Sequence, residues 1–155
     1  MRYWLFKTEP QVYSVADLAA APGQTGVWDG IRNFQARNFL RDDTAVGDRV
    51  FIYHCQCPTP GIYGVARICR AAYPDPAQFD PQSPYFDAKA QADSPRWFCV
   101  DIQLEHRLTQ GLAVKTIKQQ AALENLGIFK QPRLSVVPVT PQEHEWLLNL
   151  LQIDA

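Results

Sequence analysis

The sequence predicts an α+β fold with a curved, mainly antiparallel, barrel-like sheet flanked by short helices. Segments with the residue pattern of strands cluster in the middle of the chain, whereas a doubly wound parallel sheet would alternate strands with helices. Helical patterns lie on both sides of that cluster. The 155 residues contain no internal repeat and no linker, and this length is close to the commonest size of one domain. A single domain over residues 1–155 is therefore expected.

The first part of the chain predicts a buried strand followed by two helices. Residues 3–6 (YWLF) form an apolar, aromatic run typical of a buried strand, and Pro10 ends it. A short helix follows with Ser14 as its N-cap, and residues 22–23 (PG) close that helix. Residues 34–41 have apolar residues at helical rather than alternating spacing, so they predict a second helix.

The rest of the chain predicts a hairpin, a long loop, two further strands and two helices. Strands are expected at residues 49–54, 62–68, 97–104 and 134–139, the first two as a hairpin, with a helix at residues 114–123. Five prolines lie within residues 74–95, which predicts a long irregular loop of a length that is usually functional or disordered. The last helix begins with Thr140 as N-cap, Pro141 at the first helical position and Glu143 at the third.

The charge balance restricts the ways in which this chain could bind nucleic acid. With 15 basic and 16 acidic residues the net charge is −1, whereas proteins that contact many phosphates along a duplex are usually basic. Binding to nucleic acid is therefore expected only through a local site. No stretch approaches the roughly 20 apolar residues of a membrane span, and residues 1–9 lack the pattern of a signal peptide. We therefore expect a cytoplasmic protein with reduced cysteines.

Residues 27–38 (VWDGIRNFQARN) hold an unusual concentration of side chains that can recognise a base. Asn33 could pair with a base edge, Arg32 could contact a phosphate or stack, and Trp28 could stack on a base. Each also has a structural alternative. Asn33 could cap the following helix, the arginine could be solvated, and Trp28 could be a core aromatic residue.

Polar residues at strand ends supply further candidates. Lys7, Thr8 and Glu9 directly follow the first buried run and could bind a base or act as acid and base, or could form an ordinary exposed strand end. Arg96 and Arg133 precede predicted strands and could reach a phosphate, or could be solvent-exposed.

The segment YHCQC (residues 53–57) raises the question of a metal site. One Cys-x-Cys pair and one histidine are a weak signal, because structural zinc takes four ligands from two clusters. The sequence contains no Walker loop, GxSxG, HExxH or GxGxxG motif. No metal, no cofactor and no catalytic residue is predicted.

Seven ordered blocks resemble the EVE domain, a member of the PUA-like superfamily. They span nearly the whole chain: YWLFKTEP (3–10), WDGIRNFQARNFLR (28–41), VGDRVFIYH (46–54), PGIYGVARI (60–68), YPDPAQFDPQSPYFD (73–87), PRWFCVDI (95–102) and RLSVVPVTPQE (133–143). The resemblance implies a small, strongly curved antiparallel barrel. It also implies binding of modified bases in DNA or RNA. The related YTH domain holds a methylated adenine in an aromatic cage.

The resemblance also implies roles for individual residues. Trp28 matches the tryptophan that lines the family's pocket, and Asn33 matches a pocket-facing polar position. Thr8 and Glu9 stand where the family usually has Ser-Glu, so Thr8 is a mild departure.

The remaining matches lie in three other blocks. Tyr53 and His54 match the strand that lines the pocket, whereas Cys55 replaces a serine and is a poorer hydrogen-bonding group. Arg133 and Ser135 match the RLS block. Tyr85 lies in the proline-rich loop, where the YTH domain places another cage aromatic residue.

These observations predict a protein that binds nucleic acid and accommodates one modified base, methylated or hydroxymethylated, in an aromatic pocket. Two alternatives stay open: a hydrolase that acts on a modified nucleoside through Lys7, Thr8 and Glu9, and a protein–protein adaptor. The expected partners are DNA or RNA that carries a modified base and a separate nuclease or modification-system protein, and the expected state is a monomer. The sequence does not distinguish DNA from RNA or identify the base.

Overall fold

One mixed sheet organises the computed structural model, which describes residues 1–154. Its six strands are β1 (Tyr3–Thr8), β2 (Thr25–Trp28), β3 (Arg49–His54), β4 (Gly61–Pro74), β5 (Phe98–Ala113) and β6 (Val136–Val139). They are hydrogen-bonded in the order β2-β5-β4-β3-β1-β6. Only β1 and β3 pair in parallel, and the other pairs are antiparallel. The predicted α+β class with a mainly antiparallel sheet is confirmed.

Five short helices flank the sheet: α1 (Val15–Ala20), α2 (Phe34–Asn38), α3 (Val114–Lys118), α4 (Gly127–Lys130) and α5 (Pro141–Leu151). The predicted caps are present, because Ser14 and Thr140 each accept a hydrogen bond from the third residue of their helix in a capping box. α2 continues into a π-helical turn, Phe39–Asp43. Within residues 1–154, no helix has the length and apolar character needed to cross a membrane.

The sheet curls so that its distant strands meet. Three strands separate β2 from β1, which in a flat sheet would place them about 19 Å apart at 4.8 Å per strand. Yet the ring centroid of Trp28 in β2 lies 5.5 Å from that of Phe6 in β1. Repeated register shifts between β4 and β5 accompany this curvature, since bulges increase local twist.

The core lies on both faces of β1 and β3, because helices and the curled sheet cover them. Leu5 and Phe6 in β1 and Phe51 in β3 are fully buried, as the apolar run at residues 3–6 predicts. The indole of Trp4 donates to the carboxylate of Asp48 (3.0 Å), so this buried polar atom is satisfied.

Several predicted boundaries were wrong. The strands predicted at residues 62–68 and 97–104 extend to Pro74 and Ala113. They are longer because β4 and β5 continue to pair with each other beyond their apolar stretches. The helix predicted at residues 114–123 ends at Lys118 and gives way to a 3-10 turn, Ala121–Leu123. The last predicted strand begins only at Val136, where pairing with β1 begins.

Candidate functional site

A cavity of about 380 Å³ opens where the ends of β1, β2 and β3 converge. The parallel pairing of β1 and β3 places both carboxyl ends at one edge of the sheet, with Thr8 opposite His54. The curl of the sheet then brings the end of β2 to the same place. Six of the residues singled out from the sequence line this cavity: Thr8, Glu9, Trp28, Cys55, Tyr85 and Ser135.

Seven further residues line the cavity, and of these the sequence indicated only Lys7 as a group that could bind a base or act as acid and base. They are Lys7, Val12, Tyr13, Val27, Asp29, Gly30 and Ile31. Asp29 and Gly30 stand beside Trp28, so their position in the chain was the signal that could have identified them. Tyr13 had no such signal, because the tertiary structure alone brings it to Trp28, edge-on at 6.0 Å.

Trp28 and Tyr85 line the cavity together with a third aromatic residue, Tyr13. Trp28 is only 5% exposed and packs on Phe6 and Tyr13, so it belongs to the core and to the cavity lining at once. Tyr85 packs directly against the backbone of Gly30, where a Cβ atom would lie 2.7 Å from its ring. Gly30 also has φ +76°, which favours glycine. Any larger residue at Gly30 would displace Tyr85.

Carboxylate, ammonium and hydroxyl groups provide the polar part of the lining. Burial, and next the neighbouring Asp75 carboxylate, raise the pKa of Asp29. The ammonium group of Lys7 donates to the carbonyl of Pro132, and the hydroxyl of Thr8 donates to the carbonyl of Tyr13 at 3.0 Å. The cavity therefore offers both hydrogen-bond acceptors and donors to a bound molecule.

Cys55, where the resemblance led us to expect a serine, lies at the boundary between this cavity and a neighbouring one. Burial raises the pKa of its thiol, so the neutral form is favoured. Its Sγ lies 3.5 Å from the carbonyl of Thr8 and donates there. The thiol hydrogen is thus directed to the backbone and not to the cavity.

Arg32 does not line the cavity but fixes its wall. Its Nη1 donates to the fully buried carboxylate of Asp75 (3.0 Å), and its Nε and Nη2 donate to the carbonyl of Tyr85 (3.1 and 2.8 Å). Asp75 also accepts from the backbone N–H groups of Gly30 (3.0 Å) and Ala77 (2.8 Å). Because Nε, Nη1 and Nη2 each donate to groups of the protein, this geometry favours a positioning role for Arg32 over the predicted direct contact with nucleic acid. Arg32 acts as a positioning residue for Gly30 and Tyr85.

Arg96 takes part in a similar set of contacts that hold the proline-rich loop. Its Nη1 donates to Asp87 at 3.2 Å, and the indole of Trp97 donates to the same carboxylate at 2.8 Å. The buried side chain of Gln78 donates to the carbonyls of Asp75 and Trp97 and accepts from the N–H groups of residues 96 and 97. The loop that carries Tyr85 is therefore held by side chains, despite its lack of regular structure.

Besides Arg32 and Arg96, four more predicted site residues do not line the cavity. Asn33 caps α2 by accepting from Ala36 N (3.0 Å), and it lines a separate cavity of about 290 Å³ together with Arg133. Tyr53 lines the neighbouring cavity, and burial raises its pKa to about 12. The buried His54 accepts from Val15 N at 3.2 Å, and burial lowers its pKa. For Asn33 the structural alternative, a helix cap, describes the observed contact.

The comparisons with known proteins agree with this architecture. The model of the EVE domain family matches residues 2–150. The chain belongs to the EVE domain family. This membership confirms the resemblance described above. No group of three His, Cys, Asp or Glu residues that could hold a metal ion occurs within residues 1–154 of this EVE domain.

Relatives of this EVE domain protein occur in animals and bacteria. Human thymocyte nuclear protein 1 is 36% identical over 165 residues, which cover 96% of this chain and 73% of the human protein. A crystal structure of human THYN1 in complex with DNA containing 5-methylcytosine matches with a TM-score of 0.92 and 35% identity over 100% of both chains. A crystal structure from Pseudomonas syringae matches with a TM-score of 0.89 and 46% identity over 96% of this chain and 98% of that one. These likenesses confirm the PUA-like fold.

Proposed function

We propose that this EVE domain protein binds DNA that carries a methylated cytosine and accommodates that base in the cavity of about 380 Å³. The observation that carries this proposal is the likeness, over the whole of this chain, to the human THYN1 chain whose crystal structure holds DNA containing 5-methylcytosine. The position and lining of the cavity support it further. The volume falls within the range of about 300–1,000 Å³ that is usual for small-molecule sites.

The polar lining suits the hydrogen-bonding groups of cytosine. Aspartate and glutamate accept from the N4 amino group of cytosine, and the cavity presents the carboxylates of Asp29 and Glu9. The ammonium of Lys7 and the hydroxyl of Ser135 are donors for the acceptor atoms of the base. Stacking on an aromatic residue such as Tyr85 adds about 1–3 kcal/mol per base. Together these contacts offset the few kcal/mol needed to take a base out of the duplex.

Apolar side chains provide a place for the methyl group. Val12, Val27 and Ile31 lie in the lining, beside the polar groups. Burial of one methyl group contributes about 0.8 kcal/mol, which corresponds to a roughly fourfold preference for the methylated base. A larger preference would require that the unmodified base leave an unfilled space.

Binding to oligonucleotides that differ only in the 5-methyl group of one cytosine tests this proposal. We expect tighter binding of the methylated oligonucleotide in fluorescence anisotropy. Asp29→Asn and Glu9→Gln should each weaken binding, the one that contacts N4 by about tenfold or more, since hydrogen bonds to charged groups contribute about 1.5–3 kcal/mol. The matched control Glu124→Gln changes an exposed carboxylate that does not line the cavity, and it should bind as the wild type does. Equal affinity for both oligonucleotides, or two unaffected pocket variants, would contradict the proposal.

A hydrolase is the second candidate, because Lys7, Thr8 and Glu9 line the same cavity. A nucleophilic hydroxyl needs a base within hydrogen-bonding reach. The hydroxyl of Thr8 instead donates to a backbone carbonyl, as does the ammonium of Lys7. These contacts favour binding over catalysis. Conversion of any modified nucleoside at high protein concentration, absent in Thr8→Val, would favour the hydrolase. Use of RNA, a separate nuclease partner, a monomeric state and a cytoplasmic location stay predictions from the sequence.

A further inference from the structure

A stack of aromatic and arginine side chains, of which Phe34 is the exposed member, lies beside the cavity. Phe34, at the first position of α2, is 49% exposed, yet its ring stacks on that of Trp97 with centroids 4.8 Å apart. The guanidinium carbons of Arg37 and Arg96 lie 4.9 and 5.4 Å from the Phe34 ring centroid. We call Phe34, Trp97, Arg37 and Arg96 the arginine–aromatic surface.

Arg37 is the cation of this surface that no carboxylate neutralises. Arg96 pairs with Asp87, whereas no ion pair to Arg37 occurs in the part of the chain that the structure describes. Its guanidinium is nevertheless held in place, because Nε donates to Asn38 Oδ1 (2.9 Å) and Nη1 donates to the carbonyl of Arg96 (2.7 Å). A fixed cation loses little conformational freedom when it binds an anion, and a guanidinium suits phosphate.

The arginine–aromatic surface is continuous with the cavity through a chain of contacts. Tyr85 lines the cavity, and Arg32 donates two hydrogen bonds to its carbonyl. The guanidinium carbon of Arg32 in turn lies 5.4 Å from the ring centroid of Trp97, on which Phe34 stacks. The arginine–aromatic surface therefore adjoins the wall of the cavity that carries Tyr85.

The composition of the surface is that of a site for single-stranded nucleic acid. Such sites combine aromatic rings, on which bases stack, with cations that contact the backbone. Arg96 pairs with Asp87 and the neighbouring Arg32 pairs with Asp75, so Arg37 is the arginine of this group that is without a carboxylate partner among the described residues.

We propose that the arginine–aromatic surface binds the nucleotides next to the base in the cavity. Phe34 stacks on an unpaired neighbouring base, and Arg37 binds a phosphate of the same strand. This inference rests on the proposed function, since it assumes that nucleic acid enters the cavity. It extends the contact from one base to a short stretch of strand and explains how a chain without overall positive charge can hold the backbone.

The test measures the affinity of wild type, Arg37→Gln and Phe34→Ala for a methylated oligonucleotide over a range of salt concentrations. Arg37→Gln should weaken binding and reduce the slope of log K against log salt by about 0.7–0.9, the contribution of one phosphate. Phe34→Ala should weaken binding by about 5- to 150-fold, as for the loss of one stacked base, with an unchanged salt slope. Both variants should keep the preference for methylated over unmodified cytosine, which the cavity provides.

Arg41→Gln is the matched control. Arg41 lies one turn further along the same segment, but it pairs with Asp42 at 2.8 Å. It should bind as the wild type does. An equal loss for Arg41→Gln, or unchanged binding by both Arg37→Gln and Phe34→Ala, would overturn the inference. If these variants bind normally while the wild type prefers the methylated oligonucleotide, only the surface assignment fails. If the wild type binds neither oligonucleotide, the proposed function fails with it.

Discussion

The buried carboxylate of Asp75 should control both the stability of the protein and the shape of the cavity. Asp75 is fully buried and accepts from Gly30 N, Ala77 N and Arg32 Nη1 at 2.8–3.0 Å. Asp75→Asn keeps the size of the side chain but replaces one oxygen with an NH₂ group. In either orientation of the amide, that NH₂ group faces at least one N–H donor.

The expected loss of stability is about 3 kcal/mol. Breaking a buried ion pair by removing one partner costs about 3–5 kcal/mol. The Arg32 side chain is 21% exposed, so water can compensate part of the loss, and the lower end of that range applies. Arg32 would also hold the carbonyl of Tyr85 less firmly. Affinity for a methylated oligonucleotide should therefore fall by about tenfold, as for the loss of one stacking contact.

Denaturant unfolding followed by tryptophan fluorescence measures the first effect, and fluorescence anisotropy measures the second. Asp43→Asn is the control, because Asp43 forms a surface pair with Arg2 (3.4 Å) whose loss should cost less than about 1 kcal/mol. A free energy of unfolding for Asp75→Asn within about 1 kcal/mol of wild type, with unchanged affinity, would refute the proposal that the Asp75–Arg32 pair holds the cavity wall in place.

Three further predictions concern His144, Asp29 and Trp28. Burial, and next the Arg49 guanidinium, lower the pKa of His144 to about 4. The free energy of unfolding should therefore fall as the pH drops from about 6.5 to 4. Denaturation at several pH values should show that His144→Phe reduces this pH dependence. Because burial raises the pKa of Asp29, Asp29→Asn should stabilise the fold at pH 7 while it weakens DNA binding. The gain in stability should vanish below about pH 4, where the carboxyl group is protonated in both states. An unchanged melting temperature at pH 7 would contradict this prediction. Trp28→Ala should lose about 3–5 kcal/mol of stability and Trp28→Phe much less, because Trp28 is buried in the core. A loss of DNA binding by Trp28→Ala would therefore not distinguish a lost contact from a less stable fold. A loss of stability below about 1 kcal/mol in urea unfolding would show that Trp28 is not part of the core.

Local patterns explain why much of the fold was predictable. The capping boxes at Ser14 and Thr140 depend on residues three positions away, so the sequence contains the whole interaction. The same holds for Asn33, whose observed partner is Ala36 N. Its structural alternative was therefore visible in the sequence from the start. The apolar run of β1 likewise predicts a buried strand without knowledge of its neighbours.

The roles of the arginines could not be predicted, because their partners are distant in the chain. Arg32 meets Asp75, 43 positions away, and the carbonyl of Tyr85, 53 positions away. Arg37 meets the carbonyl of Arg96, 59 positions away. An arginine in the sequence indicates a cation, but its partners decide whether it braces a loop or remains available to a phosphate.

The order of residues was enough to predict the class of the fold, its family and about half of the side chains that line the cavity. Thr8, Glu9, Trp28, Cys55 and Tyr85 were identifiable as strand-end or loop residues before any contact was known. The tertiary structure alone decided that they meet, because the parallel pairing of β1 with β3 and the curl that brings β2 to β1 are long-range contacts. It also decided that Trp28 is a core residue as well as a lining residue, since burial depends on what packs against a side chain and not on its type.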